Sequence, residues 1–186
     1  MVNVKEENRE EIEKKLKTLV TPLIKISYLE SALRKSAFTF ELKRFIWKEL
    51  IELYEERKMY EKAAKASAGL AGIEIAFREK IESYLKAGEL YSKAGRIEDS
   101  EEMFTRATRN ATAEQKIHIL LARKNVYLVS AHNLEEKNKR VSAAKFYEKL
   151  IKMKLDELEM KEVKGKLILI YKSLGKFKEV ELIRGI

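Results

Sequence analysis

The sequence predicts an all-α fold built as an array of antiparallel helix hairpins. Three observations carry this. The 186 residues include one proline and seven glycines, with 45% hydrophobic and 37% charged side chains, so long amphipathic helices are favoured and few turns are forced. The stretch Tyr84–Ala107 sets Tyr84, Gly88 and Tyr91 on one face of a helix, breaks at Gly95, and resumes with Ile97, Ser100, Phe104 and Ala107 on one face of a second. The same register recurs at Tyr54, Tyr91, Leu134 and Tyr171, in steps of 37, 43 and 37 residues.

The central hairpin has a physical logic. Gly88 is small enough to let two helices approach, Phe104 fills the space from the other side, and Gly95 can take a positive φ at the helix end without a Cβ clash. A lone hairpin of this kind cannot bury its apolar face and asks for neighbours.

Taken in order, Asn3 with Glu6 reads as a capping box for a first helix whose apolar positions are Ile12, Leu16, Leu19 and Val20. Thr21-Pro22 opens a second, with Leu23, Ile26, Leu29 and Leu33 at helical spacing. These two form an N-terminal cap over residues 1–38, and the hairpins follow over 39–186. Thr39 opens a third helix, with Leu42, Phe45, Ile46, Leu50 and Leu53 inward. Trp47, Leu50, Ile51 and Tyr54 occupy the places of Tyr84, Ala87, Gly88 and Tyr91. Its partner, YEKAAKASAGLAG, is mostly small residues, which predicts a tight seam ended by Gly69 and Gly72. The central hairpin spans Ile75 to Ala94 and Ile97 to Arg109. Thr112 to Gln115 reads as a capping box for a long helix reaching Glu136, buried along Ile117, Leu121, Tyr127, Ala131 and Leu134. The turn from Lys137 to Arg140 reads as about one residue longer than the others, judged from Val141 and Ala144. Phe146, Leu150 and Met153 close that copy. Asp156 with Glu159 caps the next helix. Leu167, Ile168 and Tyr171, then Gly175 and Phe177, begin a fourth copy. The copies run over about 44–80, 81–112, 113–155 and 156–186.

This pattern resembles the tetratricopeptide (TPR) repeat, W-x2-L-G-x2-Y…A-x3-F…P. Tyr84 takes the Trp place, Ala87 the Leu, Gly88 the Gly and Tyr91 the Tyr. Ser100 stands for the Ala and Phe104 for the Phe, and the closing Pro is missing. The resemblance spans Phe45 to Ile186. The steps exceed the usual repeat of about 34 residues, and in this the chain is similar to the helical arrays of SNAP vesicle-fusion adaptors and proteasome-lid subunits. The resemblance implies a right-handed superhelical α-solenoid, a protein-binding scaffold without chemistry of its own. It also implies that the first helix of each repeat lines a concave groove. The groove candidates are Phe45, Lys48, Glu49 and Glu52, then Glu82, Leu85, Lys86 and Glu89. Asn125, Leu128, Val129 and His132 follow, then Glu162, Lys166, Leu169 and Lys172. The TPRs that clamp a C-terminal carboxylate resemble one another in Lys and Asn positions on this face. Lys48 matches the first Lys, but Glu52 and Lys86 replace the asparagines, which argues against that ligand. The mixed groove suits an amphipathic helix or extended peptide.

Catalytic chemistry is not expected. No Gly-rich run with Lys forms a phosphate loop, and cysteine is absent. His118 and His132 have only Glu114 and Glu136 at helical spacing, which reads as a solvated surface and not a metal site. Paired carboxylates such as Glu101-Glu102 and Glu135-Glu136 sit in charge-rich helical faces, and Asn110-Ala111-Thr112 reads as a helix cap and not a glycosylation site. No cofactor is expected. The polar, acidic N-terminus is the wrong pattern for a secretory signal, and no apolar run reaches the ~18 residues of a membrane span. The expectation is therefore a soluble, cytoplasmic protein. The cysteine-free composition, with its single Gln115, fits a thermophile, and equally a mesophilic protein rich in helix formers.

The expected function is a non-enzymatic adaptor for a protein or peptide partner. The alternative rests on the formal charge of +9 and on a second-half basic surface of Arg106, Arg109, Arg123, Lys124, Lys137, Lys139 and Arg140, which would bind RNA or DNA. A third expectation concerns the last helix. There Val180, Leu182 and Ile183 form an apolar strip without a following repeat, and Leu182 and Ile183 would make a homodimer contact.

Overall fold

The computed structural model describes residues 4–35, 37–109 and 111–185. Among them lie ten helices and no strand. They are α1 (Arg9–Thr18), α2 (Pro22–Ala32), α3 (Phe40–Glu56), α4 (Tyr60–Ile73), α5 (Phe77–Lys93), α6 (Ile97–Thr108), α7 (Ala113–Glu136), α8 (Arg140–Leu150), α9 (Glu157–Ser173) and α10 (Phe177–Gly185). Several starts are capped by the residues that the sequence offers. Thr21 and Thr39 accept from the backbone N–H groups of Ile24 and Leu42, and Asp156 with Glu159 forms a complete capping box. The first helix opens later than expected. Asn3 lies outside the described residues. Asn8 is the cap, accepting from the Glu11 N–H at 3.0 Å while the Glu11 carboxylate accepts from the Glu7 N–H at 2.9 Å.

Between α3 and α4, α5 and α6, α7 and α8, and α9 and α10 the chain makes one and the same three-residue turn. Its middle residue is left-handed each time: Lys58 (φ 55°), Gly95 (76°), Asn138 (54°) and Gly175 (70°). The next N–H then reaches the carbonyl five residues back. Met59 bonds Tyr54 and Arg96 bonds Tyr91, both at 2.8 Å, Lys139 bonds Leu134 at 2.8 Å and Lys176 bonds Tyr171 at 2.9 Å. This is the bond that satisfies an orphan carbonyl at a helix end. The turn at residues 137–139 is therefore not longer than the others. The counterpart of Ser100 is Ala143, and that of Phe104 is Tyr147. Ala143 and Ala144 are both buried and small, as are Phe146 and Tyr147 both buried and aromatic, so the apolar pattern alone allows a slip of one residue. The wider 43-residue step comes from α7 itself, which has 24 residues where α3, α5 and α9 have 17.

The chain divides into two compact units, Met1–Thr112 and Ala113–Ile186. In the first, α3 to α6 pack consecutively, and α2 packs on α3. The core joins Ile12, Leu29, Ile46, Leu50, Leu70 and Leu90. The seam of small residues is present in α4, where Ala63, Ala64, Ala66, Ser67 and Ala71 are buried. Gly69 and Gly72 do not end this helix. Both are helical, and the chain leaves the helix at Glu74 in extended backbone. Gly69 makes room for Trp47, since a Cβ there would lie 2.9 Å from the ring.

In the second unit, α7 packs on α8, α8 on α9 and α9 on α10. Tyr127 and Phe146 meet edge to face at 5.5 Å. Four expected core positions are exposed instead: Val20, Leu23, Ile117 and Leu121. The buried residues of α7 are Ile119, Tyr127, Ser130 and Ala131. A helical period identifies a stripe, but the helix that lies against it decides which part is covered. In the final helix Val180 and Ile183 are buried within the chain and Leu182 is exposed.

Candidate binding surfaces

In the first unit α3 runs beside the chain that leads into α5, in the same direction. Arg44 pairs with Glu74 at 2.9 Å, and Glu55 with Lys86 at 2.9 Å. Both partners advance together along the sequence, which is what parallel neighbours require. The groove candidates here are mostly charged, and Glu82, Lys86 and Glu89 are ion-paired. Lys48 and Glu52 are exposed on α3, while Leu85 is half-buried. Lys86 lies between Glu55 and Glu89, and Glu89 also holds Lys93 at 2.5 Å. Glu49 is half-buried. Burial, then the neighbouring carboxylates Glu52 and Glu13, push its pKa up, against the pull of Arg9 and Lys25.

The second unit repeats this arrangement. Lys124 pairs with Glu159, and Lys166 with Glu135 at 3.7 Å, so α7 and α9 also run the same way. Glu135 additionally accepts from the Tyr147 hydroxyl at 2.6 Å. Burial, then this bond, drives the Tyr147 pKa far up, as burial and Glu148 do for Tyr171. Of the groove candidates, Asn125 and His132 are exposed and Leu128 is half-buried. Val129 and Leu169 are 58% and 65% exposed, so they are the bare aliphatic groups of this surface.

The basic-surface candidates are divided between the two units. Arg106 and Arg109 belong to the first unit, the other five to the second. Arg106 is held by Glu102, Lys124 by Glu159, and Arg123 lies over the Tyr127 ring. Lys137, Lys139 and Arg140 are exposed and carry no ion pair among the described residues. The formal charge is also uneven. The first unit has 22 basic and 20 acidic residues, the second 17 and 10, so the second carries +7 of the +9. Of the dimer candidates, Leu182 is exposed and Ile183 is not available.

Two adjoining hollows open beside the α7–α8 turn. One, of about 520 Å³, is lined by Asn138, Lys139, Arg140, Val141, Ser142 and Leu174. The other, of about 290 Å³, is lined by Glu135, Asn138, Arg140, Leu169, Ile170 and Ser173. Arg140 and Leu169, which the sequence places on two different surfaces, thus line one hollow. Asn138, Val141 and Ser173 were not visible as site residues, because nothing local marks a contact between positions so far apart in sequence. A separate apolar hollow of about 340 Å³ in the first unit is lined by Leu33, Trp47, Leu50 and Ala66. Glu30, Tyr54, Lys62 and Lys65 rim it. Its rim is self-satisfied, with Glu30 accepting from the Tyr54 hydroxyl at 2.5 Å and from Lys62 at 3.4 Å.

Among the described residues no group of three or more His, Asp or Glu is assembled to hold a metal ion, and no helix is long and apolar enough to cross a membrane. No protein-family model matches the chain, and no curated protein sequence matches it significantly.

Proposed function

We propose that this protein is a non-enzymatic protein-interaction adaptor. In this reading its four helix–turn–helix pairs are TPR-like repeats behind two N-terminal capping helices, and its first helices take a peptide or helix from a partner. The observation that carries the reading is the fourfold turn, with the same left-handed middle residue and the same closing hydrogen bond. The parallel, salt-bridged first helices within each unit support it, and in the second unit Val129 and Leu169 stay bare on those helices. Selection from a displayed peptide library tests it. Enriched peptides should share a pattern and lose binding to the Val129→Glu variant while its melting temperature is unchanged. A selection that never rises above background overturns the adaptor reading.

The charge of the second unit favours one other reading, a helical protein that binds RNA or DNA through Lys and Arg. Steep weakening of oligonucleotide binding by added salt, with no peptide selected, would replace the first reading with the second. Dimerisation through Leu182 and Ile183 is not part of the proposal, since Ile183 is covered by its own chain.

A further inference from the structure

We infer that the edge of the second unit beside the α7–α8 turn docks a short acidic segment of a partner protein, anchored by an aliphatic side chain. This rests on the adaptor reading and names the chemistry of its partner. Arg140 lines both adjoining hollows and Lys139 one of them, and Lys137 precedes Asn138, which lines both. None of the three carries an ion pair among the described residues. Such exposed, unneutralised cations attract carboxylates, and the +7 of the surrounding unit strengthens the attraction at a distance. Glu135 is the only carboxylate lining either hollow, and it is already engaged by the Tyr147 hydroxyl and Lys166. Glu136, one residue before Lys137, lines neither.

The apolar part is equally specific. Leu169 is 65% exposed in the hollow that holds Arg140, and Val141 is 56% exposed in its neighbour. A cation and a bare aliphatic group in each hollow match a ligand that alternates carboxylate and aliphatic side chains. Both linings are aliphatic and polar, without an aromatic ring. Single-stranded nucleic acid is held by stacking its bases on such rings, so an acidic peptide fits this edge better.

Fluorescence anisotropy tests the inference on the full chain near physiological ionic strength. The probes are a labelled short peptide of alternating Glu and Leu, the same peptide with Ser for Leu, and a labelled oligothymidylate. The Glu/Leu peptide should bind best. Arg140→Glu and Leu169→Gln should each weaken it by about tenfold, with helix content unchanged because both side chains are exposed. Four results overturn the inference: no binding of the Glu/Leu peptide, indifference to both variants, equal binding of the Ser peptide, or tighter binding of the oligonucleotide at the same residues. The adaptor reading is judged separately. Library peptides that bind but ignore Arg140→Glu and Leu169→Gln would leave it standing while this edge fails.

Discussion

Phe104 closes directly on Gly88: a Cβ added at Gly88 would stand 2.9 Å from the ring's Cζ and 3.0 Å from its Cε2. Phe104 is fully buried, so its ring has nowhere to retreat. The Ser100 hydroxyl donates to the Gly88 carbonyl at 2.8 Å and fixes the same approach.

Gly88→Ala is therefore expected to destabilise the protein despite alanine's better helix propensity. Overpacking costs ~1–3 kcal/mol and the propensity gain returns ~1 kcal/mol, leaving a net loss of about 1 kcal/mol. Phe104→Ala alone should cost ~3–5 kcal/mol. In that background Gly88→Ala should become neutral or stabilising, a coupling of about 2 kcal/mol in a double-mutant cycle. Urea midpoints of the four proteins decide it, and additive effects would mean the ring does not press on Gly88.

The four turns set a second test. Lys58 holds a left-handed conformation that costs a residue with a Cβ ~1 kcal/mol or more. Lys58→Gly should raise the unfolding free energy by up to ~1 kcal/mol, and Asn138→Gly by less, since asparagine tolerates this region. Gly95→Ala should lower it by a similar ~1 kcal/mol. A Lys58→Gly protein no more stable than its parent would contradict the turn geometry.

Arg44 and Arg9 separate a sheltered pair from an exposed one. Glu74 has a side chain only 6% exposed beside Arg44, which is itself 34% exposed. Arg44→Ala strands that carboxylate and should cost about 2–3 kcal/mol, less than the ~3–5 kcal/mol of a fully buried pair. Arg9 and Glu13 are 67% and 39% exposed. Losing that pair by Arg9→Ala should cost ~1 kcal/mol or less. Thermal denaturation of the two variants ranks them.

Glu49 makes stability depend on pH. Its folded pKa is raised above the ordinary 4.5, first by burial and then by Glu52 and Glu13. The folded state thus binds this proton more tightly than the unfolded chain. Its contribution is most favourable while protonated, and it is lost as pH rises from the ordinary value through the raised one. Glu49→Gln should be more stable than the parent at neutral pH, with the difference closing in acid. Equal stability of the two proteins at neutral pH would show that Glu49 is not strained.

The last helix separates two neighbouring residues. Ile183→Lys forces a charge into the contact with α9, and hydrogen exchange over residues 177–185 should lose its protection. Leu182→Lys, on the exposed side, should change stability by no more than about 0.5 kcal/mol.

What was legible in the sequence follows from where the chemistry is local. Thr21, Thr39 and Asp156 mark helix starts because their side chains make the capping bonds. The starts after Met59, Arg96 and Lys139 have no side-chain cap, and only the turn before them reveals them. Gly95 and Gly175 announce a left-handed residue, whereas Lys58 and Asn138 do not, so the sequence pattern alone leaves the turn after α7 uncertain by one residue. Individual surface residues were identifiable, but their grouping was not. Arg140 and Leu169 line one hollow only because α9 runs beside α7 in the same direction, which no local pattern encodes.

The 24-residue α7 has a consequence for how such a chain can vary. Its excess over the 17-residue helices is seven residues, added at its N-terminal end, because Leu134 and the closing turn keep their places. Seven residues are close to two full helical turns, so the added segment lengthens the rod by about 10 Å and rotates its face by only ~20°. Insertions of one heptad are thus phase-neutral: Tyr127 and Ala131 stay aimed at α8 while the segment before them keeps nearly the same bearing. An insertion of five residues would swing the same face by roughly 140°. A change of length in steps of seven is therefore the one that least disturbs the contacts of Tyr127 and Ala131.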